Sequence, residues 1–140
     1  DEPVLTRPIA VVLAVRGIAE GAGALAVFVI WLYVFGASDD AARTVAFAAI
    51  VVAELLEAHG SRSLYRTILD IGPLSNPYVV VATIISFGGL LAVLYVPPLQ
   101  DAFHTTTLGL REWIAVAGVG VGRLLLIEGM KVSPWRLRPA

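Results

Sequence analysis

Four long segments of this 140-residue sequence are almost entirely apolar, and they constrain its fold more than any other feature. They run from about 9 to 35, 43 to 59, 77 to 96 and 113 to 130. A helix needs roughly 20 apolar residues to cross the hydrocarbon core of a bilayer. Backbone polar groups in lipid must be hydrogen-bonded within the segment, which favours helices. The sequence therefore predicts an all-α membrane protein, a four-transmembrane-helix bundle surrounded by the lipid bilayer.

The composition agrees with a membrane location and excludes several kinds of chemistry. Hydrophobic residues make up 58% of the sequence and charged residues 15%, against roughly 45–50% and 25% in an average soluble domain. A formal net charge of −1 gives no basic surface, so we expect no nucleic-acid partner. The absence of cysteine from the sequence excludes disulfides and thiolate metal sites within it.

The connections between the spans are short, and their charges predict the orientation. We expect outer loops at 36–42 and 97–112 and a cytoplasmic loop at 60–76, so residues 1–140 form a single transmembrane domain. Most Lys and Arg residues fall on one side, namely Arg7, Arg62, Arg66, Lys131, Arg136 and Arg138, with only Arg43 and Arg111 opposite. Because cytoplasmic segments carry the excess of these residues, both termini are predicted to be cytoplasmic. We expect an integral protein of the plasma (cell) membrane.

Two carboxylates in the second span are the candidate cation-binding residues. An ionisable residue at the centre of a spanning helix costs roughly 2.5–3.5 kcal/mol on insertion scales, so each requires a reason. Glu54 and Glu57 are spaced i, i+3 and therefore share one helix face. Facing a polar cavity, they could bind a hard cation or carry protons. Alternatively, they pair with a cation on a neighbouring helix and hold the bundle together.

The other spans carry charges as well. Arg16 and Glu20 in the first span are spaced i, i+4 and could neutralise each other. Arg123 lies deeper in the last span and could pair with a carboxylate on another helix. Near the inner end of that span, Glu128 and Lys131 form an i, i+3 pair that we interpret as interfacial anchoring.

Three further features have mainly structural interpretations. His59 could relay protons, but an ordinary hydrated interfacial histidine is the favoured interpretation. His104 has no second ligand at metal spacing and is given no role. Glycines in the first and fourth spans predict close helix packing through small-residue faces, namely Gly17, Gly21, Gly23, Gly118 and Gly122.

Several motifs, in order along the chain, resemble one family. They are Glu2-Pro3-Val4-Leu5-Thr6-Arg7, Ser61-Arg62-Ser63, Gly72, Ser75-Asn76-Pro77-Tyr78, Tyr95-Val96-Pro97-Pro98-Leu99-Gln100, Phe103, Leu110-Arg111-Glu112-Trp113, Glu128 and Lys131. Together they resemble the C-terminal membrane domain of type II cation-transporting P-type ATPases, with the calcium-pump branch most similar. The resemblance covers essentially the whole chain.

The resemblance implies a fold and a function. The four spans would be the seventh to tenth transmembrane helices of a pump that couples ATP hydrolysis, through an aspartyl-phosphate, to cation transport. Glu54 falls where calcium pumps place a glutamate of the eighth helix that contributes to a cation site, which makes it the implied metal ligand. Glu57 falls where sodium–potassium pumps have an aspartate linked to a third sodium site and calcium pumps often have asparagine. The implied cargo is Ca²⁺ or another cation.

The sequence lacks the chemistry that would make it a pump by itself. The D-K-T-G phosphorylation motif is absent, so we expect no catalytic residue, no cofactor and no enzyme activity from this segment alone. A dehydrated Ca²⁺ ion needs 6–8 oxygen ligands, and Glu54 and Glu57 supply at most four. The implied partners are the remaining helices and cytoplasmic domains of a P-type pump, with ATP and Mg²⁺ used only by the full pump. The alternatives are a stand-alone small four-helix transporter and a regulatory membrane subunit.

Overall fold

A computed structural model describes residues 7–60 and 66–132, and the secondary-structure elements in those ranges are helical. Helix α1 spans Arg7–Val29 and continues into a π-helical turn at Ile30–Val34. The other helices are α2 (Asp39–Gly60), α3 (Ile68–Ile71), α4 (Pro77–Tyr95), α5 (Pro97–Phe103) and α6 (Leu110–Val132). The predicted all-α class is therefore confirmed for the described residues. Each predicted span coincides with a long helix, and α3 and α5 are short helices within the predicted loops.

Three helices in the described part of the chain are long and apolar enough to cross a membrane. They correspond to Leu13–Val34, Pro77–Tyr95 and Leu110–Lys131, so the chain is an integral membrane protein. The predicted count of four spans is not confirmed, because α2 does not meet the same criterion. Its apolar sequence is interrupted by five charged residues, namely Asp39, Asp40, Arg43, Glu54 and Glu57.

The orientation of the bundle stays a prediction. The two termini lie outside the described residues, together with Ser61-Arg62-Ser63, Arg136 and Arg138. These segments carry half of the basic residues on which the predicted cytoplasmic side depends.

Helix α2 occupies the centre of the bundle, where it packs against α1, α4 and α6. Its buried positions are mostly small residues, which allow close approach of neighbouring helices: Ala42, Thr44, Val45, Ala48, Ala49 and Ala53. Large apolar side chains point outward from the surrounding helices, among them Ile18, Leu25, Ile84, Ile85, Ile114 and Leu125. Helix α2 is thus covered on several sides by α1, α4 and α6.

Local sequence explains where several helices begin. Helix α4 begins after Asn76, whose side chain accepts hydrogen bonds from the backbone amides of Tyr78 and Val79. Pro77 at the first helical position lacks the amide that would otherwise be unsatisfied there. The Ser38 hydroxyl accepts a hydrogen bond from the Ala41 amide at the start of α2. These caps determine where α2 and α4 begin.

Among the glycines of α6, Gly120 makes the closest contact with a neighbouring helix, and it is not one of the two glycines that the sequence predicted there. A Cβ on Gly120 would lie 3.0 Å from Leu56 Cδ1 and 3.3 Å from Val52 Cγ1 of α2. Gly118 and Gly122, the predicted packing pair, have open space where a Cβ would be. The spacing prediction was therefore wrong for α6, because its small-residue pair lies on a face turned away from α2.

Glycines on α1 follow the same pattern. Gly17 and Gly21 also have open space where a Cβ would be. A Cβ on Gly23 would lie 3.4 Å from Val119 Cγ1 of α6. Only the last of the three predicted glycines therefore lies at a helix contact, because the other two are on an exposed face of α1.

Candidate functional site

Five charged side chains from α1, α2 and α6 meet inside the bundle, and we call them the Arg123 cluster: Arg16, Glu20, Glu54, Glu57 and Arg123. Arg123 is the centre of this cluster. Its Nη1 donates a hydrogen bond of 2.8 Å to Glu54 Oε1. Its Nη2 lies 2.6 Å from Glu57 Oε2 and 3.3 Å from Glu20 Oε2. One guanidinium therefore links three carboxylates from two other helices.

Arg16 pairs across the helix interface rather than along its own helix. Its Nη1 lies 3.2 Å from Glu57 Oε1. The predicted neutralisation of Arg16 by Glu20 is wrong, since Glu20 pairs with Arg123. Both α1 side chains face α2 and α6, where an opposite charge lies within reach of each. The prediction that Arg123 pairs with carboxylates on other helices is confirmed.

Burial differs strongly among the members of the cluster. The Arg123 side chain is 7% exposed and the Glu57 side chain 11%, whereas the Glu54 side chain is 52% exposed. Glu57 contacts two guanidiniums and Glu54 contacts one. Glu57 is therefore enclosed in the bundle and paired with two cations, and Glu54 is open on one side.

The cluster cannot enclose a metal ion by itself. No group of three or more His, Cys, Asp or Glu side chains suited to a metal ion occurs among the described residues. The three carboxylates of the cluster carry six oxygens, but guanidinium nitrogens lie within 3.3 Å of four of them, which leaves fewer than the 6–8 that Ca²⁺ takes. The assignment of both residues as cation ligands stays a prediction. The double pairing of Glu57 favours a structural role, whereas the exposure of Glu54 leaves it able to accept a further ligand.

A second set of polar contacts, made by Glu128 and Lys131, lies where α2 and α6 end. Lys131 Nζ donates to the Gly60 carbonyl at 2.7 Å and to Glu128 Oε1 at 2.6 Å. Glu128 Oε2 accepts from the Ile68 amide at 2.7 Å, which ties α3 to α6. The predicted i, i+3 pairing is confirmed, and its interpretation as an interfacial anchor stays a prediction. Both side chains are largely buried, because they satisfy the end of one helix and the start of another.

His59 links α2 to α4. Its Nδ1 lies 2.9 Å from the Pro73 carbonyl, and its Nε2 lies 2.9 Å from the Thr83 hydroxyl. Because a carbonyl only accepts, Nδ1 carries a proton. Both ring nitrogens therefore have protein partners, which favours a structural role over the hydrated histidine and over the proton relay.

A family model described as "Cation transporting ATPase, C-terminus" matches residues 1–133. The chain belongs to this family. The predicted resemblance to the C-terminal domain of type II P-type ATPases is thereby confirmed. The helical bundle around the Arg123 cluster is thus the membrane part of a domain found at the C-terminus of cation pumps.

Several proteins that are similar to this chain are calcium-transporting ATPases. The chain is 30% identical over 128 residues to a calcium-transporting ATPase of Bacillus subtilis, a match that covers 91% of this chain and 14% of that protein. It is 33% identical over 96 residues to human calcium-transporting ATPase type 2C member 2, covering 69% of this chain and 10% of that protein. A third similar protein is Arabidopsis thaliana calcium-transporting ATPase 4, endoplasmic reticulum-type, at 30% identity over 64% of this chain and 8% of that protein. The chain spans about one seventh or less of the length of these proteins.

The sequence indicated the two carboxylates of α2 and offered Arg123 as a partner on another helix, but it did not place Arg16 and Glu20 in the same group. Arg16 and Glu20 belong to the same cluster, and the i, i+4 spacing concealed this by offering a local pairing. Arg123 gave the clearer signal, because no acidic residue lies within four positions of it on its own helix. A deep arginine without such a neighbour needs carboxylates from other helices.

Proposed function

We propose that this chain is the C-terminal membrane domain of a calcium-transporting pump and that it contributes the Glu54 carboxylate to the pump's cation site. The family assignment and the names of the similar proteins support a calcium pump. ATP hydrolysis and Mg²⁺ binding belong to the full pump, whose remaining helices and cytoplasmic domains are the partners of this domain. In that assembly α2 also crosses the membrane, as a span that is enclosed by protein, and it brings the number of spans in this domain to four.

The exposure of Glu54 is the observation that carries this proposal. A carboxylate that is 52% exposed on a helix inside a membrane bundle would face lipid unless another protein segment covered it. A charge in that position costs roughly 2.5–3.5 kcal/mol on insertion scales. Additional helices of a pump would remove this cost by packing over the exposed side of Glu54. They would also supply the oxygens that the Arg123 cluster lacks.

The chemistry of Glu54 suits such a shared site. Carboxylate oxygens are preferred ligands of Ca²⁺, which binds flexible sets of oxygen ligands from several segments. Arg123 holds Oε1 of Glu54 at 2.8 Å, and the exposed part of the side chain is open to a further ligand. Glu57 acts indirectly in this proposal, because it pairs with Arg123.

Substitution of Glu54 by glutamine tests the proposal in the complete pump. The change keeps the shape of the side chain and removes its charge. We expect Glu54→Gln to raise the Ca²⁺ concentration needed for phosphorylation by ATP about tenfold or more, which corresponds to about 1.4 kcal/mol or more. The matched control is Asp40→Asn, which removes a carboxylate from an exposed pair on the same helix. Equal Ca²⁺ dependence in the two variants would contradict the proposal.

The size and location of the native polypeptide provide an independent test. An antibody against residues 134–140 should detect a band several times larger than 14.8 kDa in native membranes. A band near 14.8 kDa would favour a free-standing bundle. Fractionation of the same membranes would test the proposed plasma-membrane location, since one of the similar proteins is named as endoplasmic reticulum-type.

A further inference from the structure

We propose that Arg123 competes with the transported cation for Glu54: its guanidinium holds Oε1 of that carboxylate and must release it before the cation can bind through both oxygens. The inference rests on the proposed function, in which Glu54 is a cation ligand. It assigns to Arg123 a role in setting cation affinity, beyond holding the helices together.

The two ends of the Arg123 guanidinium have different partners. Nη1 contacts Glu54 alone, at 2.8 Å. Nη2 contacts both Glu57, at 2.6 Å, and Glu20, at 3.3 Å. The contact with Glu54 can therefore break while the other two remain. Arg123 then stays in the cluster as a paired cation and releases one carboxylate.

Because the Arg123 side chain is buried, release of Glu54 alone costs less free energy than release of all three carboxylates. Arg123 is 7% exposed, and an isolated charge that deep in a protein costs several kcal/mol. Retention of Glu57 and Glu20 avoids that cost. Glu57 is itself fixed by Arg16 at 3.2 Å, so it does not follow Glu54 away from Arg123. Glu54 is the exposed member and the one that an incoming ion reaches first.

The charge of the cluster leads to the same conclusion. Three carboxylates and two guanidiniums give a formal charge of −1 for the cluster. A neutral residue in place of either arginine makes this charge −2 and increases the attraction for a divalent cation. Only Arg123 also occupies an oxygen of Glu54, the proposed cation ligand. Its removal should therefore tighten binding more than removal of Arg16 does.

The test compares Arg123→Met with Arg16→Met in the complete pump, with Ca²⁺-dependent phosphorylation by ATP measured at one fixed pH above neutrality. Both variants remove one positive charge from the cluster, but only the first frees Glu54. We expect Arg123→Met to require about tenfold less Ca²⁺ than Arg16→Met, a difference of about 1.4 kcal/mol. Equal affinity in the two variants, or weaker binding by Arg123→Met, would overturn the inference.

A charge-matched variant covers the case in which Arg123→Met does not fold. The double variant Glu57→Gln/Arg123→Met keeps the cluster at −1 and still leaves Glu54 without its guanidinium. We expect it to bind Ca²⁺ about tenfold more tightly than the unmodified pump, whose cluster has the same formal charge. Equal or weaker Ca²⁺ binding by the double variant would count against the inference.

The Glu54→Gln background separates this inference from the proposed function. There the Arg123→Met change should alter Ca²⁺ dependence no more than Arg16→Met does, because the Glu54 carboxylate is gone and both changes then affect only the charge of the cluster. If Glu54→Gln itself does not weaken Ca²⁺ dependence, the proposed function fails. If Glu54→Gln weakens it and Arg123→Met does not tighten it, the inference alone fails.

Discussion

Replacement of Gly120 by alanine should loosen the contact between α6 and α2. The added Cβ would lie 3.0 Å from Leu56 Cδ1, 3.3 Å from Val52 Cγ1 and 3.6 Å from the Ala53 backbone nitrogen. Leu56 can rotate to relieve part of this contact. Val52 is β-branched and has little rotamer freedom in a helix, so it cannot. The helices must therefore separate or tilt slightly.

A matched control isolates the packing contribution to stability. Gly118 lies on the same helix with open space where a Cβ would be. Alanine is about 0.8–1.0 kcal/mol more favourable than glycine in a helix interior, and both variants gain this equally. Overpacking a filled interface costs about 1–3 kcal/mol. Gly120→Ala should therefore be less stable than Gly118→Ala by about 1–3 kcal/mol.

Thermal unfolding of the detergent-solubilised protein measures this difference. Trp31 and Trp113 lie in or beside the core, so their fluorescence reports loss of tertiary packing. At about 4 °C per kcal/mol for a chain of this size, the two midpoints should differ by about 4–12 °C. If both variants shift the midpoint by the same amount, Gly120 does not limit the approach of α6 to α2 and the reasoning is refuted.

Two further predictions concern the ends of the helices. Lys131→Met should lower the free energy of unfolding by about 3–5 kcal/mol, because it leaves the largely buried Glu128 carboxylate without its cation. The control is Arg43→Met, which breaks an exposed pair and should lower the free energy of unfolding by less than about 1 kcal/mol in the same thermal assay. Asn76→Ala should lower it by about 1 kcal/mol, because the Tyr78 amide at the start of α4 loses its cap. Equal midpoints for Lys131→Met and Arg43→Met, or an unchanged midpoint for Asn76→Ala, would contradict these assignments.

Local signals in the sequence predicted the long helices well. The third span was predicted at 77–96, and α4 spans Pro77–Tyr95, because Asn76 and the prolines at both ends act on the neighbouring backbone alone. The first span was predicted to 35, but regular α-helix ends at Val29 and a π-helical turn follows. That turn places Trp31 in the core, with its Nε1 3.4 Å from Glu112 Oε1 of α6. A partner 81 residues away leaves no local signal.

The candidate site was predictable only in part. The cost of a charge in lipid singled out Glu54, Glu57 and Arg123, because it depends on residue type and depth. The choice of partner was not predictable for Arg16, which pairs with Glu57 of α2 instead of Glu20 on its own helix. The two pairings differ in inter-helix geometry, which the sequence does not specify.

The sequence by itself therefore determined that this chain enters a membrane, which segments are helical and which charges need shelter. Each follows from the transfer free energy or backbone preference of neighbouring residues. Only the tertiary structure decided that α2 lies at the centre, that Gly120 rather than Gly118 touches it and that Arg123 joins three carboxylates. The physical reason is rotational: one position along a helix turns a side chain by about 100°, so the contacts depend on how each helix is rotated against its neighbours.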